Sequence, residues 1–118
     1  MILEGAFVFV STAQSASVEG ALAMVHEEEG TTYVLAQDAA DRQGLAYDFV
    51  ASWITLRVHS SLVAVGLTAA VSDALAQRGI SCNVLAGFHH DHLLVPTWRR
   101  DEALEILRGL AERAAGTK

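Results

Sequence analysis

Three imidazoles and a carboxylate fall within four positions at His89-His90-Asp91-His92. These are residue types that bind zinc. Adjacent residues of a strand point to opposite faces, so His89 and His90 share an ion only where a turn twists them together. The segment therefore reads as a tight hairpin turn whose histidines sit at the surface or bond to backbone, and no metal site is predicted. His59, Ser60 and Asp91 supply the residue types of a hydrolytic triad. Nucleophilic catalysis needs a serine on a rigid elbow, a positioned base and an oxyanion hole. The chain has no G-x-S-x-G, and His59 is adjacent to Ser60. Ser60 and Ser61 are instead expected to cap a helix. Cys82, on a strand face with Ile80 and Val84, reads as a buried, inert thiol. Glu27-Glu28-Glu29 reads as a solvated charge patch protecting a hairpin edge. The expectation is a protein that is not an enzyme and uses no cofactor.

The elements that position these residues must fit in 118 residues, enough for one domain or two very small halves sharing a core. The composition is 52% hydrophobic with one proline, so the chain has the apolar material to fold. Eight basic against 14 acidic residues give a net charge of −6. Arg99-Arg100 is the only adjacent basic pair, and a surface with no basic stripe argues against nucleic acid as the partner. The single cysteine excludes an intramolecular disulfide framework and a CxxC metal site, and it fits a reducing cytoplasm. The N-terminal stretch has no basic leader, and Glu4 interrupts its apolar run, so no signal peptide is predicted. Leu62 to Val71 is apolar but far short of the ~20 residues that span a bilayer. No membrane partner is expected.

The back half carries the clearer pattern. Trp53 to His59 alternates, with Ile54, Leu56 and Val58 facing a core and Trp53, Thr55, Arg57 and His59 on the other side. Ser60 to Gly66 reads as a loop, followed by a helix over about Gly66 to Arg78 closed by Gly79. A second strand is predicted from Ile80 to about Phe88, and a short third strand over Leu93 to Pro96. An amphipathic helix then starts near Asp101 with acidic residues in its first turn. The order β-α-β-β-α is a ferredoxin-like α+β unit lacking its last strand. In the front half, Phe7 to Val10 reads as a strand, Ala21 to Val25 and Thr31 to Leu35 as a hairpin, and Asp38 to Gln43 as a short helix ended by Gly44. Gln14 to Gly20 reads as a loop, and Ala46 to Val50 leads into the main strand.

Across Trp53-Ile54-Thr55-Leu56-Arg57-Val58-His59-Ser60-Ser61-Leu62 and Val65-Gly66-Leu67, the sequence resembles the ACT-domain superfamily. The likeness continues through Gly79 to Ala86 and Phe88 to Pro96, and is looser over Phe7 to Val10 and Glu28 to Leu35. The chain looks most like a bacterial family of small, stand-alone tandem ACT proteins of uncharacterised function. It is more distantly similar to the ACT units of aspartate kinases and of the CASTOR arginine sensors. Members usually carry a helical segment before the first strand. The front half, residues 1–51, is thus expected to be a truncated ACT-like unit beside a C-terminal ACT domain over 52–118, their sheets side by side. A front segment such as Phe7 to Val10 is expected to complete the back sheet.

The resemblance implies a regulatory domain that binds a small molecule, typically an amino acid. Such sites lie where the loop after the first strand meets a neighbouring ACT unit, from the same chain or a partner. Carried over residue by residue, the loop is His59, Ser60, Ser61, Leu62, Val65 and Gly66, and the facing strand position is Asn83. Gly66 suits a ligand carboxylate approaching a helix N-terminus with no Cβ in the way. The Asn83 amide oxygen can accept from an ammonium. The expected protein is an amino-acid sensor, a homodimer, that acts through a partner or through its oligomeric state. The rival readings are a protein-interaction module with a vestigial pocket, and a metal-binding protein using His89 to His92.

Overall fold

Alternating apolar residues set the strands of this chain, and two glycines fix where its helices stop. The structure, a computed structural model, describes residues 2–13, 17–57 and 61–116. It divides into a front unit, Glu4–Ala51, and a back unit formed by Met1–Leu3 with Ser52–Lys118.

The front unit contains β1 (Phe7–Thr12), β2 (Ala23–His26), β3 (Thr31–Ala36) and α1 (Gln37–Arg42). β3 lies between the other two strands, antiparallel to both, in registers from Phe7↔Ala36 to Thr12↔Thr31 and from Ala23↔Val34 to His26↔Thr31. The period of two puts Val8 and Val10 of β1 with Tyr33 and Leu35 of β3 against Ala39 and Ala40 of α1. A ferredoxin-like unit places a crossover helix between its first two strands. Here the described residues of that connection, 13 and 17–22, contain no helix. The Gln43 amide holds this connection instead, accepting from Glu19 N at 2.9 Å and donating to Glu19 O at 3.0 Å. β4 (Val50–Arg57) opens in this unit, where Val50 and Ala51 pair with Val8 and Phe7.

In the back unit the rest of β4 is followed by α2 (Ser61–Gln77), β5 (Asn83–Ala86), β6 (His90–Pro96), a 3-10 turn (Thr97–Arg99) and α3 (Arg100–Gly116). The sheet order is β4-β6-β5, the ferredoxin-like arrangement expected from the sequence. Ile54, Leu93 and Val95 of the sheet close a core with Val71 and Leu75 of α2 and Ala103 of α3. Fully burying a side chain the size of Leu75 or Leu93 contributes roughly 1.5–3 kcal/mol. Both α1 and α2 end in the same hydrogen-bonded cap. Gly44 and Gly79 take φ of +67° and +68°, and the next residues, Leu45 and Ile80, donate back to Ala40 O at 2.9 Å and Leu75 O at 3.0 Å. These are Schellman motifs, and glycine enters that left-handed region without a Cβ penalty. Both stops match the sequence reading. No helix among the described residues is long and apolar enough to cross a membrane.

Several boundaries differ from expectation. α2 begins at Ser61, so Ser61 to Gly66 is helix and not loop. Leu62-Val63-Ala64-Val65 contains no breaker, and one internal glycine costs a helix only about 1 kcal/mol against alanine. β5 starts at Asn83 and not at Ile80, because the Gly79 cap turns Ile80 into the core instead of a ladder. Ala46 to Phe49 lies outside the strand that Val50 opens. The place beside β4 in the back unit is taken by the N-terminal residues. Ile2 bridges Ile54 in antiparallel sense, and Leu3 N donates to Trp53 O at 3.0 Å. Phe7 and Val8, expected there, pair with Ala51 and Val50, since the chain bends at Glu4-Gly5 before β1 begins.

Candidate functional site

The histidine segment is a strand, not a turn. Ala86 pairs with Asp91, and Gly87 N donates to His90 O at 2.9 Å, which leaves Phe88 and His89 alone at the hairpin tip. The reversal falls there because of Gly87. A Cβ on it would lie 2.8 Å from His90 O and 3.4 Å from His92 Nε2. His90, Asp91 and His92 therefore alternate, with both imidazoles on one face and the carboxylate on the other. Asp91 accepts from Thr68 Oγ1 of α2 at 3.3 Å. It is thus committed to the helix side, away from the imidazoles. His59 and Ser60, its partners in the triad reading, lie outside the described residues. Among the described residues, no three His, Cys, Asp or Glu groups are gathered so as to hold a metal ion.

A hydrogen-bonded chain lies on the face that His90 and His92 share. The Trp53 indole donates to Thr55 Oγ1 at 3.1 Å, and Thr55 Oγ1 meets His92 Nδ1 at 3.1 Å. The Trp53 and His92 rings are 5.1 Å apart between centroids. Trp53 is buried, as the alternation of β4 requires for a residue beneath this network. Partial burial and the neighbouring His90 hold His92 below the ordinary histidine pKa, against the opposing pull of Asp91. His90 stands beside His92, rings 6.4 Å apart, and its buried Nδ1 has no hydrogen-bond partner among the described residues.

The residues carried over from the family resemblance separate into two groups. Ser61, Leu62, Val65 and Gly66 have their backbone in the first turns of α2, and their side chains lie outside the description. Gly66 is the sixth residue of that helix, so the free amides for an anion are those of Ser61 to Ala64 and not of Gly66. Asn83 opens β5, is exposed, and pairs with Leu94. β5 and β4 both run antiparallel to β6, hence parallel to each other. The contacts Thr55–His92 and Ser52–Thr97 align Asn83, through Leu94, with the middle of β4, between Trp53 and Thr55. Four residues at ~3.3 Å each put it about 13 Å from the Gly87 end, where β4 finishes and α2 begins. Within one unit, then, Asn83 lies at the end of β5 away from the start of α2. The group that does adjoin the α2 end is the Gly87–His92 hairpin. The sequence signal for it was the His-x-His spacing on a strand, hidden by reading the segment as a turn.

Cys82 is free and half-buried against the back core, and burial pushes its thiol pKa up. It is a poor nucleophile for that reason. Arg78, Glu102 and Glu105 line a cleft of about 280 Å³ between α2 and α3. Glu102 is already engaged there, by Arg99 at 2.8 Å and Arg78 at 3.4 Å.

Two ACT-domain family models match the chain, one over residues 1–52 and the other over residues 49–109. The chain is similar to a protein of unknown function from Vibrio cholerae, described as a possible transport protein. The two are 39% identical, the match covers 94% of this chain and 88% of the other, and the TM-score is 0.84. A protein from Agrobacterium tumefaciens shares the fold at 20% identity, with a TM-score of 0.77 over 92% of this chain and 84% of that one. No curated protein matches the sequence.

Proposed function

The chain belongs to the ACT-domain family, and from that premise we propose that it senses an amino acid at an interface between ACT units. ACT domains are generally small-molecule-binding regulatory domains. The observation that carries the finer reading is the separation of the two residue groups in the back unit. The start of α2, with Ser61, Leu62, Val65 and Gly66, is one wall, to which the residues before it, His59 and Ser60, are assigned by the family resemblance. Asn83, about 13 Å from it along the sheet at ~3.3 Å per residue, is the other. A zwitterion only a few ångströms long meets both walls when a second copy of the chain brings its Asn83 to the first copy's α2. The carboxylate then lies on the α2 amides and the ammonium on the Asn83 amide oxygen. Binding favours the dimer that builds the pocket, and the shifted population is the signal a partner protein reads. The protein acts in the cytoplasm, without catalysis.

Thermal-shift measurements against the proteinogenic amino acids test this. At a hundred times its Kd, the right ligand stabilises by about 2.7 kcal/mol. Asn83→Ala and Gly66→Leu remove the shift while leaving the unliganded melting point near the parent's. Sedimentation shows the dimer fraction rising with that ligand. A flat panel overturns the sensor reading and favours an interaction module. That second reading has its own observation, the exposed apolar side chains Leu22, Met24 and Val25 on and beside β2.

A further inference from the structure

We propose that His90 and His92 form a two-histidine site for a divalent transition metal of the zinc, copper and nickel class. Sequence reading argued against a metal by placing these residues in a turn. Their position in β6 reverses the argument. Alternation puts both rings on the same face with one residue between them, and Asp91 is withdrawn to the other side by Thr68. Imidazole is the side chain that suits these ions.

Three features make the pair more than two neighbouring histidines. The first is orientation. His92 Nδ1 is held by the Thr55 hydroxyl, which is itself held by the Trp53 indole, so the ring is fixed from behind. A metal-binding histidine donates its second ring N–H to an outer partner. In the tautomer whose Nδ1–H donates to Thr55 Oγ1, which has a lone pair for it beside the Trp53 indole N–H, Nε2 is the ligand atom. The second is the neighbour. His92 Nε2 lies beside Gly87, whose missing side chain leaves no Cβ in van der Waals contact with it. The third is His90 itself, whose buried Nδ1 has no hydrogen-bond partner among the described residues, so the ring surrenders no bond to them from that atom when it turns toward an ion.

The distances set the required movement. With a metal–nitrogen bond of about 2.0–2.1 Å, each ring centre lies about 3.2 Å from the ion, and a tetrahedral pair has ring centres about 5 Å apart. The rings stand at 6.4 Å, inclined by 56°. They must close by about 1 Å, which His90 accomplishes by rotation while His92 stays on Thr55. Among the described residues no third ligand is gathered.

The chain contains two tryptophans, so Trp98→Phe leaves Trp53 as the single tryptophan, excited selectively at 295 nm and 5.1 Å from the His92 ring. Titrating the tag-free Trp98→Phe chain with Cu(II) is expected to quench Trp53 emission with saturation at one ion per chain. Zn(II) and Ni(II) are expected to reverse the quenching by competition. His90→Asn and His92→Asn should each weaken the quenching at least tenfold. His89→Asn, at the hairpin tip, should leave it unchanged. Circular dichroism melts verify that each variant is folded, and His90→Asn carries the test if His92→Asn is not. Quenching that fails to saturate, that survives both substitutions, or that is lost in His89→Asn and kept in His92→Asn overturns the site. Because the readout needs no amino acid, its failure is separate from failure of the sensor reading.

Discussion

The two units solve the same packing problem with different amounts of helix. In the back unit, two 17-residue helices close over three strands, and residues from α2, α3 and the sheet meet in one core. In the front unit, a six-residue helix covers β1 and β3. Where the crossover helix would lie, the described residues run as an irregular connection tied down by Gln43. The strand order survives the loss of that helix because register in a half-buried sheet is set by which residues face the core. What a missing helix removes is enclosure, and with it a regular site at a helix N-terminus. The back unit is therefore the more enclosed of the two.

Leu75 and Leu35 make that comparison quantitative, since both are fully buried leucines, one in each core. Leu75→Ala is expected to cost about 3–5 kcal/mol, near the top of the range for buried leucines, because helices and sheet surround it and cannot collapse onto the hole. Leu35→Ala, beneath α1 alone, is expected to fall nearer 2–3 kcal/mol. Urea unfolding of the two variants measures the difference. Equal losses would mean that the short helix encloses its core as well as the long ones do.

A backbone contact gives the next largest effect, and it lies in the front unit. A Cβ on Gly30 would sit 2.1 Å from Thr12 O, with backbone on both sides of the collision. Gly30→Ala must therefore part β1 from the β2–β3 turn, at a cost of about 1–3 kcal/mol typical of overpacking. Amide exchange should rise at the ends of β1 and β3 and stay at parent rates in α2. A melting point within a degree of the parent's would show that the hairpin gives way freely.

The back unit was legible because its signals agree with one another. Alternation through Ile54 and Leu56, the glycine caps and the spacing of Leu104, Leu107 and Leu110 each indicate the same βαββα order. The misreadings came where two local signals competed. Ser60-Ser61 reads as a helix start and Gly66 as a later one, and sequence alone does not say that the apolar run between them is already helical. His89 to His92 looks like a polar turn by composition, yet the reversal is at Phe88 and His89, beside a Gly87 whose Cβ would meet His90 O at 2.8 Å. The role of Ile2 and Leu3 beside β4 was invisible for a different reason. It is a contact between residues about fifty apart, and one bridging residue leaves no periodicity to find. The same limit holds for Asn83, whose distance from α2 follows from strand direction and not from spacing.

Gln43 tests whether the irregular connection of the front unit depends on its tether. Its side-chain amide accepts from Glu19 N and donates to both Glu19 O and Ala39 O. These groups are largely exposed, so Gln43→Ala should cost no more than about 1 kcal/mol, the net worth of such hydrogen bonds. Exchange protection at Glu19 should vanish, while the amides of β5 and β6 remain as they were. If Glu19 stays protected, burial of Val18 against the front core, and not Gln43, holds the connection.

The smallest effect belongs to the ion pair that ties the start of α3 to the end of α2. Arg99, with help from Arg78, holds the Glu102 carboxyl below the ordinary carboxylate pKa. A carboxylate with a depressed folded-state pKa stabilises the protein above its unfolded value near 4.5. That contribution is lost as pH falls through the lower folded value. Arg99→Ala should therefore lower the melting point slightly at pH 7, by an amount that shrinks in high salt. Once Glu102 is protonated in both proteins, the carboxylate part of the difference is gone. What persists there is the hydrogen bond from the Arg99 guanidinium to Arg78 O at 2.9 Å, which does not titrate. A difference that is the same at pH 7 and at pH 3 would assign the whole effect to that bond, and the two helix ends would then be joined through the backbone of α2 rather than through charge.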